Sequence, residues 1–310
     1  MRRLKGRAWI IFVSGLVLLS LYSACQPITS AGYLGLLKSG IVERNITYET
    51  ADGIELKMDI FYHRKTEEPR PAIVYIHGGG WYSGDKSRGA GQYDIPELVA
   101  HGYVVASVNY RLAPRYKFPA QIEDIKCAIR FLRANADKYG IDSLNIGVLG
   151  DSAGGHLAAL AGVTDVSAGF GIRGEHLEQT DAVQAVVDMY GPADLALICQ
   201  TDHTGHMEHV FGTDDPESMV IKRASPITYV SIDDPPFLIL HGDQDNEVLP
   251  EQSRVLYQKL SITGVPAILV TVHNSGHRFE SADDNIISPT RAEITEIILD
   301  FLDKHLKKDA

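Results

Sequence analysis

Short apolar runs alternate along the chain with longer segments in which apolar residues recur at helical spacing. The short runs have the length and β-branched content of buried strands, and the longer segments fit amphipathic helices. The pattern predicts strands over Asn45–Thr50, Ile54–Tyr62, Ala72–Ile76, Val104–Asn109, Asn145–Leu149, Ala182–Tyr190, Pro236–Leu240 and Ala267–Val272. It predicts helices over Asp94–His101, Ile122–Tyr139, Ala153–Val163, Pro250–Thr263 and Thr290–Lys307. Alternating strands and helices after an antiparallel start indicate an α/β fold, with a mostly parallel, doubly wound sheet and helices on both faces. Ligands of such folds bind beyond the carboxyl ends of the strands.

The N-terminal segment has a different pattern. Basic residues precede an apolar run from Ala8 to Leu21, which is typical of an export signal. Small residues lead up to Cys25, as in a bacterial lipoprotein signal, although plain cleavage and an uncleaved anchor stay open. We therefore expect an export segment over 1–25, an N-terminal extension over 26–44 and one α/β domain over 45–310. The expected location is outside the inner membrane, either periplasmic or anchored to the membrane through lipidated Cys25.

The net charge excludes one class of partner, and the positions of the cysteines predict the state of their thiols. The 310 residues carry 29 Lys and Arg against 40 Asp and Glu, giving a formal net charge of −11. Nucleic-acid binding needs a basic face, so no nucleic-acid partner is expected. Beyond Cys25, the remaining cysteines are Cys127 and Cys199, whose apolar surroundings predict buried free thiols.

The pentapeptide Gly150-Asp-Ser-Ala-Gly154 lies between a predicted strand and a predicted helix. Gly-x-Ser-x-Gly in this context is typical of a nucleophile elbow, a sharp turn that projects the serine hydroxyl above the sheet. Glycine at both ends of the turn removes Cβ atoms that would otherwise crowd each other. The pattern predicts Ser152 as a nucleophile, with the N–H of Ala153 pointing the same way.

Three consecutive glycines follow the predicted strand Ala72–Ile76, in the sequence His77-Gly-Gly-Gly-Trp81. Glycines after a strand let the backbone turn and expose its N–H groups to a ligand. His-Gly-Gly-Gly upstream of a serine elbow is the oxyanion-loop pattern of lipases and esterases. We expect Gly79, Gly80 and Ala153 to donate to a developing oxyanion.

Acids and imidazoles follow two later strands. Pro236–Leu240 runs into His241-Gly-Asp-Gln-Asp245, and Ala267–Val272 runs into His273-Asn-Ser-Gly-His277. A serine nucleophile needs an imidazole to accept its proton and a buried carboxylate to orient that imidazole. The chain order of serine, acid and histidine fits serine hydrolases of this architecture. The pattern leaves Asp243 and Asp245 as candidate acids, and two histidines that follow them in the chain, His273 and His277, as candidate bases.

Several motifs together resemble the α/β-hydrolase esterases of the hormone-sensitive-lipase-like group, and most of all the bacterial feruloyl and acetyl-xylan esterase-like proteins. They are the oxyanion loop, Val108-Asn-Tyr-Arg-Leu-Ala-Pro114, Phe118-Pro-Ala120, the elbow extended to His156, and Ser225-Pro-Ile-Thr228. The resemblance runs from about Tyr48 to the C-terminus. It implies the α/β-hydrolase fold for the catalytic domain over 45–310.

The resemblance also implies the catalytic set. Ser152 matches the nucleophile, Asp245 the acid of the family's His-Gly-x-x-Asp pattern, and His277 the base. There are two departures from the family pattern. The proline expected directly after Val248 stands at position 250, which keeps Asp243 as an alternative acid, and Arg278 replaces a glycine beside the base.

The function implied is a serine carboxylic-ester hydrolase that acts through an acyl-enzyme intermediate on short acyl or aryl esters. Acetyl or feruloyl esters of carbohydrates are included, so the expected partner is a small-molecule or oligosaccharide ester. No metal and no cofactor are expected. The alternatives are an arylformamidase-type amidase, whose oxyanion loop carries tyrosine where this chain has Gly80, and a non-catalytic binding protein on the hydrolase scaffold.

The segment Gln200–Glu217 is the least regular part of the pattern, which predicts a lip or cap over the site. It contains His203, His206 and His209, which fit a polar lip better than a zinc site because Thr204-Gly205 opposes a helix there.

Overall fold

Among the residues that the structure describes, eight strands form one sheet: β1 Gly40–Ala51, β2 Ile54–His63, β3 Arg70–Ile76, β4 Val104–Val108, β5 Ile141–Asp151, β6 Ala185–Met189, β7 Phe237–Gly242 and β8 Ala267–Val272. This computed structural model describes residues 40–63, 68–200, 202, 204–281 and 285–307. The strands lie in the order β1-β2-β4-β3-β5-β6-β7-β8. β2 pairs antiparallel with β1 and with β4, and the other neighbours pair in parallel. The predicted mostly parallel sheet is therefore confirmed.

Nine helices connect and cover the described strands: α1 Ile95–Ala100, α2 Ala120–Ala134, α3 Ala136–Tyr139, α4 Ala153–Val163, α5 Leu195–Cys199, α6 His206–Phe211, α7 Met219–Ala224, α8 Glu251–Thr263 and α9 Arg291–Leu306. Two apolar clusters form the core, one on each face of the sheet. One cluster contains side chains of α2, α4 and α8, and the other contains side chains of α1 and α9. Strands β4 and β6 are buried at every residue, as expected for interior strands covered on both faces of the sheet.

Three predicted elements differ in extent. The single helix predicted over Ile122–Tyr139 is wrong, because the chain leaves the helical conformation at Asn135, whose side-chain amide caps the Phe131 carbonyl at 2.9 Å. The strand predicted over Ala182–Tyr190 is shorter, since only Ala185–Met189 pairs with its neighbours. The first strand begins at Gly40, within the segment expected to precede the domain.

The strand order places the two glycine-rich turns side by side. Strand β3 has β4 on one side and β5 on the other. It pairs in parallel with β5, so that Ile76 at the end of β3 lies opposite Gly150 near the end of β5. The loop after β3 and the elbow after β5 therefore leave the sheet at the same edge.

Within the described residues, no helix has the length and apolar character needed to cross a membrane. The apolar run Ala8–Leu21 and Cys25 lie outside the described residues, so the export prediction stays a prediction.

Candidate active site

The turn between β5 and α4 holds Ser152 in a strained conformation, with φ of 55° and ψ of −121°. A Cβ on Gly150 would lie 2.1 Å from the Gly154 carbonyl oxygen, and a Cβ on Gly154 would lie 2.0 Å from the Ile76 carbonyl oxygen. Neither position accepts a side chain, so the glycines permit the close approach that the turn requires. Strain of this kind persists where the surrounding structure enforces it, typically at functional sites.

The three predicted catalytic side chains form a continuous chain of hydrogen bonds. His277 Nε2 lies 3.1 Å from Ser152 Oγ, and His277 Nδ1 lies 2.7 Å from Asp245 Oδ2. A carboxylate only accepts, so the imidazole proton resides on Nδ1 and leaves Nε2 to accept from the serine hydroxyl. The Tyr190 ring packs edge-on against the His277 ring at a centroid distance of 4.6 Å.

Four donors surround the Asp245 carboxylate. Besides His277, Oδ2 lies 3.3 Å from His241 Nε2, while Oδ1 accepts from the N–H groups of Glu247 at 2.9 Å and Val248 at 3.0 Å. Burial alone would raise the pKa of Asp245, but the hydrogen bonds from His241, His277 and the backbone outweigh it and hold the pKa well below its usual range. The acid therefore stays ionised.

His241 is a supporting residue that the sequence patterns did not identify. Its Nδ1 lies 2.6 Å from Ser253 Oγ on α8, and its Nε2 lies 2.8 Å from the Val248 carbonyl oxygen. These contacts fix the ring against the acid. The signal available in the sequence was the position of His241 four residues before Asp245, at the end of a buried strand.

The alternative acid, Asp243, points elsewhere. Its Oδ2 lies 3.0 Å from Nδ1 of His273, a residue whose side chain is 65% exposed. The structure thus brings Asp245, and not Asp243, to His277. Two charged residues flank His277 at the solvent side: the Glu247 carboxylate lies 3.9 Å from Nε2, and Arg278 is exposed.

The loop after β3 presents backbone donors next to the elbow. Gly79 and Gly80 have φ angles of 118° and 58°, and the Gly79 carbonyl accepts from the N–H of Ser83 at 3.0 Å. In the part of the chain that the structure describes, the N–H groups of Gly79 and Gly80 donate to no protein acceptor. The N–H of Ala153, the first residue of α4, has no partner within the helix. These three groups are available to an oxyanion.

The segment predicted as a lip packs against the oxyanion loop through α6. The His206 ring stacks on Trp81 at 5.7 Å and meets Tyr82 edge-on at 5.1 Å. A cavity of about 290 Å³ opens here, lined by Tyr82, Pro114, Thr204, His206 and His209. Burial lowers the pKa of His206, which favours the neutral form of this ring. A larger cavity, of about 740 Å³, lies at the opposite edge of the sheet and is remote from Ser152.

The remaining sequence candidates fall outside this site. No cluster of three or more His, Cys, Asp or Glu among the described residues could hold a metal ion, and His203 is not described. Cys127 and Cys199 are free, as predicted, but Cys199 is only half-buried. Burial, together with a hydrogen bond to Glu49, raises the pKa of the Cys127 thiol to about 12, which makes it unreactive.

Comparisons with known proteins identify relatives over most of the chain. Residues 58–260 match the family model BD-FAE. Esterase LipC of Mycobacterium tuberculosis is 34% identical over 230 residues, which cover 72% of this chain and 56% of LipC. The chain thus spans about half the length of the curated relatives it matches.

The solved structures that resemble this chain also include esterases. A truncated carbohydrate esterase from gut microbiota superposes with a TM-score of 0.74 at 30% identity, covering 86% of this chain and 97% of the other. A butyrate-bound thermophilic esterase from Thermogutta terrifontis superposes with a TM-score of 0.71 at 26% identity, covering 86% of this chain and 96% of the other. The predicted α/β-hydrolase fold is confirmed, and this chain belongs to the BD-FAE family, among the hormone-sensitive-lipase-like esterases.

Proposed function

We propose that this protein is a serine carboxylic-ester hydrolase that acts through an acyl-enzyme intermediate. The observation that carries the proposal is the hydrogen-bond chain from Ser152 through His277 to Asp245, beside three available N–H groups. Family membership supports it, because the named relatives are esterases. The unbroken series of hydrogen bonds between Ser152, His277 and Asp245 disfavours a non-catalytic binding protein. Gly80 in the oxyanion loop disfavours an arylformamidase.

The proposed reaction follows from the positions of the protons. His277 Nε2 accepts the Ser152 proton as Oγ attacks the ester carbonyl, and the carbonyl oxygen becomes negative toward the donors of Gly79, Gly80 and Ala153. His277 then protonates the departing alcohol, which leaves the acyl group on Ser152. A water molecule then gives a proton to Nε2 and attacks the acyl carbonyl, and Nε2 returns that proton to Ser152 Oγ as the acyl–Oγ bond breaks and the acid leaves. Asp245 stabilises the imidazolium in both halves of the cycle.

Removing the nucleophile or the base tests the proposal. Ser152→Ala and His277→Ala should each lower kcat on p-nitrophenyl acetate by about 10⁴–10⁶. Ser261→Ala, at an exposed position on α8, serves as the matched control and should retain wild-type activity. A fluorophosphonate probe should label wild type but not Ser152→Ala. More than a tenth of wild-type activity in either triad variant, or turnover of N-formylkynurenine in place of the ester, would reject the assignment.

We further propose short acyl or aryl esters as substrates, including acetyl or feruloyl esters of carbohydrates. The named neighbours support this, one being a carbohydrate esterase and another holding butyrate. The cavity beside Gly80, where burial favours a neutral His206 and Tyr82 is 54% exposed, suits a neutral ring. Rates on p-nitrophenyl esters should fall with acyl length, and acetylated xylan fragments should be hydrolysed ahead of feruloyl esters. A preference for acyl chains longer than about ten carbons would contradict this proposal.

We also propose that the catalytic domain, whose first strand begins at Gly40, is exported by the segment 1–25, with lipidation of Cys25 as the anchor. The support is the basic segment, the apolar run and the small residues before Cys25. The full chain expressed in a bacterium should fractionate with membranes, and Cys25→Ser should release it or block its processing. A soluble cytoplasmic product that retains Met1 would exclude export.

A further inference from the structure

His156 is a completely buried imidazole that has no part in the proposed proton transfers. It lies in the first turn of α4, where its Nδ1 is 3.0 Å from Trp81 Nε1 and its Nε2 is 2.7 Å from the Ala224 carbonyl oxygen. An indole nitrogen only donates and a carbonyl only accepts, so the two contacts fix a single form of the ring. That form is neutral, with the proton on Nε2 and the lone pair of Nδ1 facing Trp81.

Trp81 ends a strained segment of the oxyanion loop. Gly79, Gly80 and Trp81 have successive φ angles of 118°, 58° and 62°. A positive φ is accessible to glycine but unfavourable for a bulky residue such as tryptophan, so Trp81 remains there only if other contacts hold it. The His156 hydrogen bond is one of these contacts, and ring contacts with Phe211 and His206 are others.

We propose that His156 is a positioning residue for the oxyanion hole: its Nδ1 accepts the Trp81 indole N–H and so holds Gly79 and Gly80 with their N–H groups facing the Ser152 ester. This inference rests on the proposed function, in which these glycines stabilise the oxyanion. Helix α4 begins at Ala153, the third donor, and also carries His156. The same rigid helix therefore positions the donors on both sides of the oxyanion hole.

The state of the ring supports this role. Burial lowers the pKa of His156 to about 4, so at neutral pH the Nδ1 lone pair is available to the indole. If the loop relaxed toward ordinary φ angles, its N–H groups would turn away from the oxyanion, and one lost donor costs about 10²–10³ in kcat.

Two amide substitutions separate this role from a merely structural one. Asparagine can place its oxygen near the position of Nδ1, and glutamine can place its nitrogen near the position of Nε2. His156→Asn therefore keeps the acceptor for Trp81 and loses the Ala224 contact, while His156→Gln does the reverse. Trp81→Phe removes the indole N–H from the other side. Asparagine and glutamine are close to histidine in size and phenylalanine keeps an aromatic ring at position 81, and a melting curve reports whether each variant folds.

We expect His156→Gln and Trp81→Phe to lower kcat about 10²-fold with little change in KM, and His156→Asn to stay within about threefold of wild type. The double variant Trp81→Phe/His156→Gln should be no slower than either single variant, since both remove the same bond. Binding of a short-chain trifluoromethyl ketone, whose adduct with Ser152 carries an oxyanion, should weaken by the same factor as kcat/KM.

Two results would overturn the inference: a fully active Trp81→Phe enzyme, or equal kcat losses in His156→Asn and His156→Gln. Either would leave His156 as a packing residue. Failure of the proposed function has a different signature, because Ser152→Ala would then hydrolyse the ester as fast as wild type.

Discussion

Asp245 is a buried carboxylate whose charge is compensated by directed donors rather than by a cation. Two imidazoles and two backbone N–H groups share its oxygens, which is why its pKa lies well below the usual range despite burial. An acid in this state cannot donate a proton to His277. It can only hold the imidazole with the proton on Nδ1, the form in which Nε2 accepts from serine.

A substitution at Asp245 should therefore act through the imidazole. Asp245→Asn offers an amide N–H in place of an acceptor, favours the wrong tautomer of His277, and should lower kcat by about 10⁴. Asp243→Asn is the matched control, because its carboxylate contacts His273 instead. Steady-state kinetics on p-nitrophenyl acetate would compare the two. The reverse ranking would make Asp243 the acid.

The sequence could not separate these two acids without the family resemblance. Both follow the same buried strand and stand two residues apart. Which one reaches His277 depends on how the loop after β7 turns against the loop after β8, and that is decided by contacts between distant residues. The Asp243 N–H donates to the Val272 carbonyl, and the Gln244 N–H donates to the Ser275 carbonyl. No local pattern reports these contacts.

At the scale of elements, the oxyanion loop is held by a close backbone approach. A Cβ on Gly79 would lie 2.3 Å from the Ser83 carbonyl oxygen, so even the smallest side chain must displace the turn. Gly53, in the turn between β1 and β2, shares a positive φ, at 76°, but a Cβ there would meet nothing within 4 Å. Substitution of Gly53 would cause only the strain of an unfavourable φ, whereas substitution of Gly79 would also distort the oxyanion loop. Comparing the two substitutions therefore distinguishes these effects.

Gly79→Ala should lower kcat by about 10²–10³, because it turns a donor away from the oxyanion. Gly53→Ala should lower stability by about 1 kcal/mol, through the unfavourable φ, and leave kcat unchanged. Thermal unfolding and ester hydrolysis, measured on both variants, would distinguish the effects. A fully active Gly79→Ala enzyme would place the oxyanion hole elsewhere.

The elements with the clearest local patterns were the best predicted. Helix α4 and strand β8 have the predicted bounds, since each is an uninterrupted run between clear turn signals. The short helices α5, α6 and α7 were not predicted, because contacts with the rest of the chain support them. Helix α6, for example, depends on Asp202 accepting from the N–H of Met207 and on the stacking of His206 against Trp81.

At the scale of the whole molecule, the order of the strands brings the motifs together. Parallel strands place their carboxyl ends at one edge, which allowed the sequence to predict that the three motifs share a site. The residues that support the site were harder to predict. His156 lies 75 positions from Trp81 and 68 positions from Ala224, so nothing near it in the chain indicates its role.

Buried neutral histidines also affect the stability of the whole molecule. Burial lowers the pKa of both His77 and His156 to about 4, against about 6.5 in an unfolded chain. Between these values the unfolded state binds more protons than the folded state, so each histidine makes the protein less stable as the pH falls. Burial raises the pKa of Asp124 and of Asp188 to about 6, which opposes this slope. The histidine contribution must therefore be measured as a difference between variants.

His156→Asn removes one of the two titrations and leaves the carboxylates in place. At about pH 7 the imidazole is neutral in both folded and unfolded chains, and wild type should be the more stable because asparagine loses the Ala224 hydrogen bond. At about pH 5 the unfolded wild type has taken up a proton that the folded state excludes, so its advantage should shrink by about 2 kcal/mol. Urea unfolding of both proteins at the two pH values would measure this change. Parallel stability profiles would mean that His156 binds its proton equally well in the folded and unfolded chains, and that the Trp81 hydrogen bond does not depend on a neutral ring.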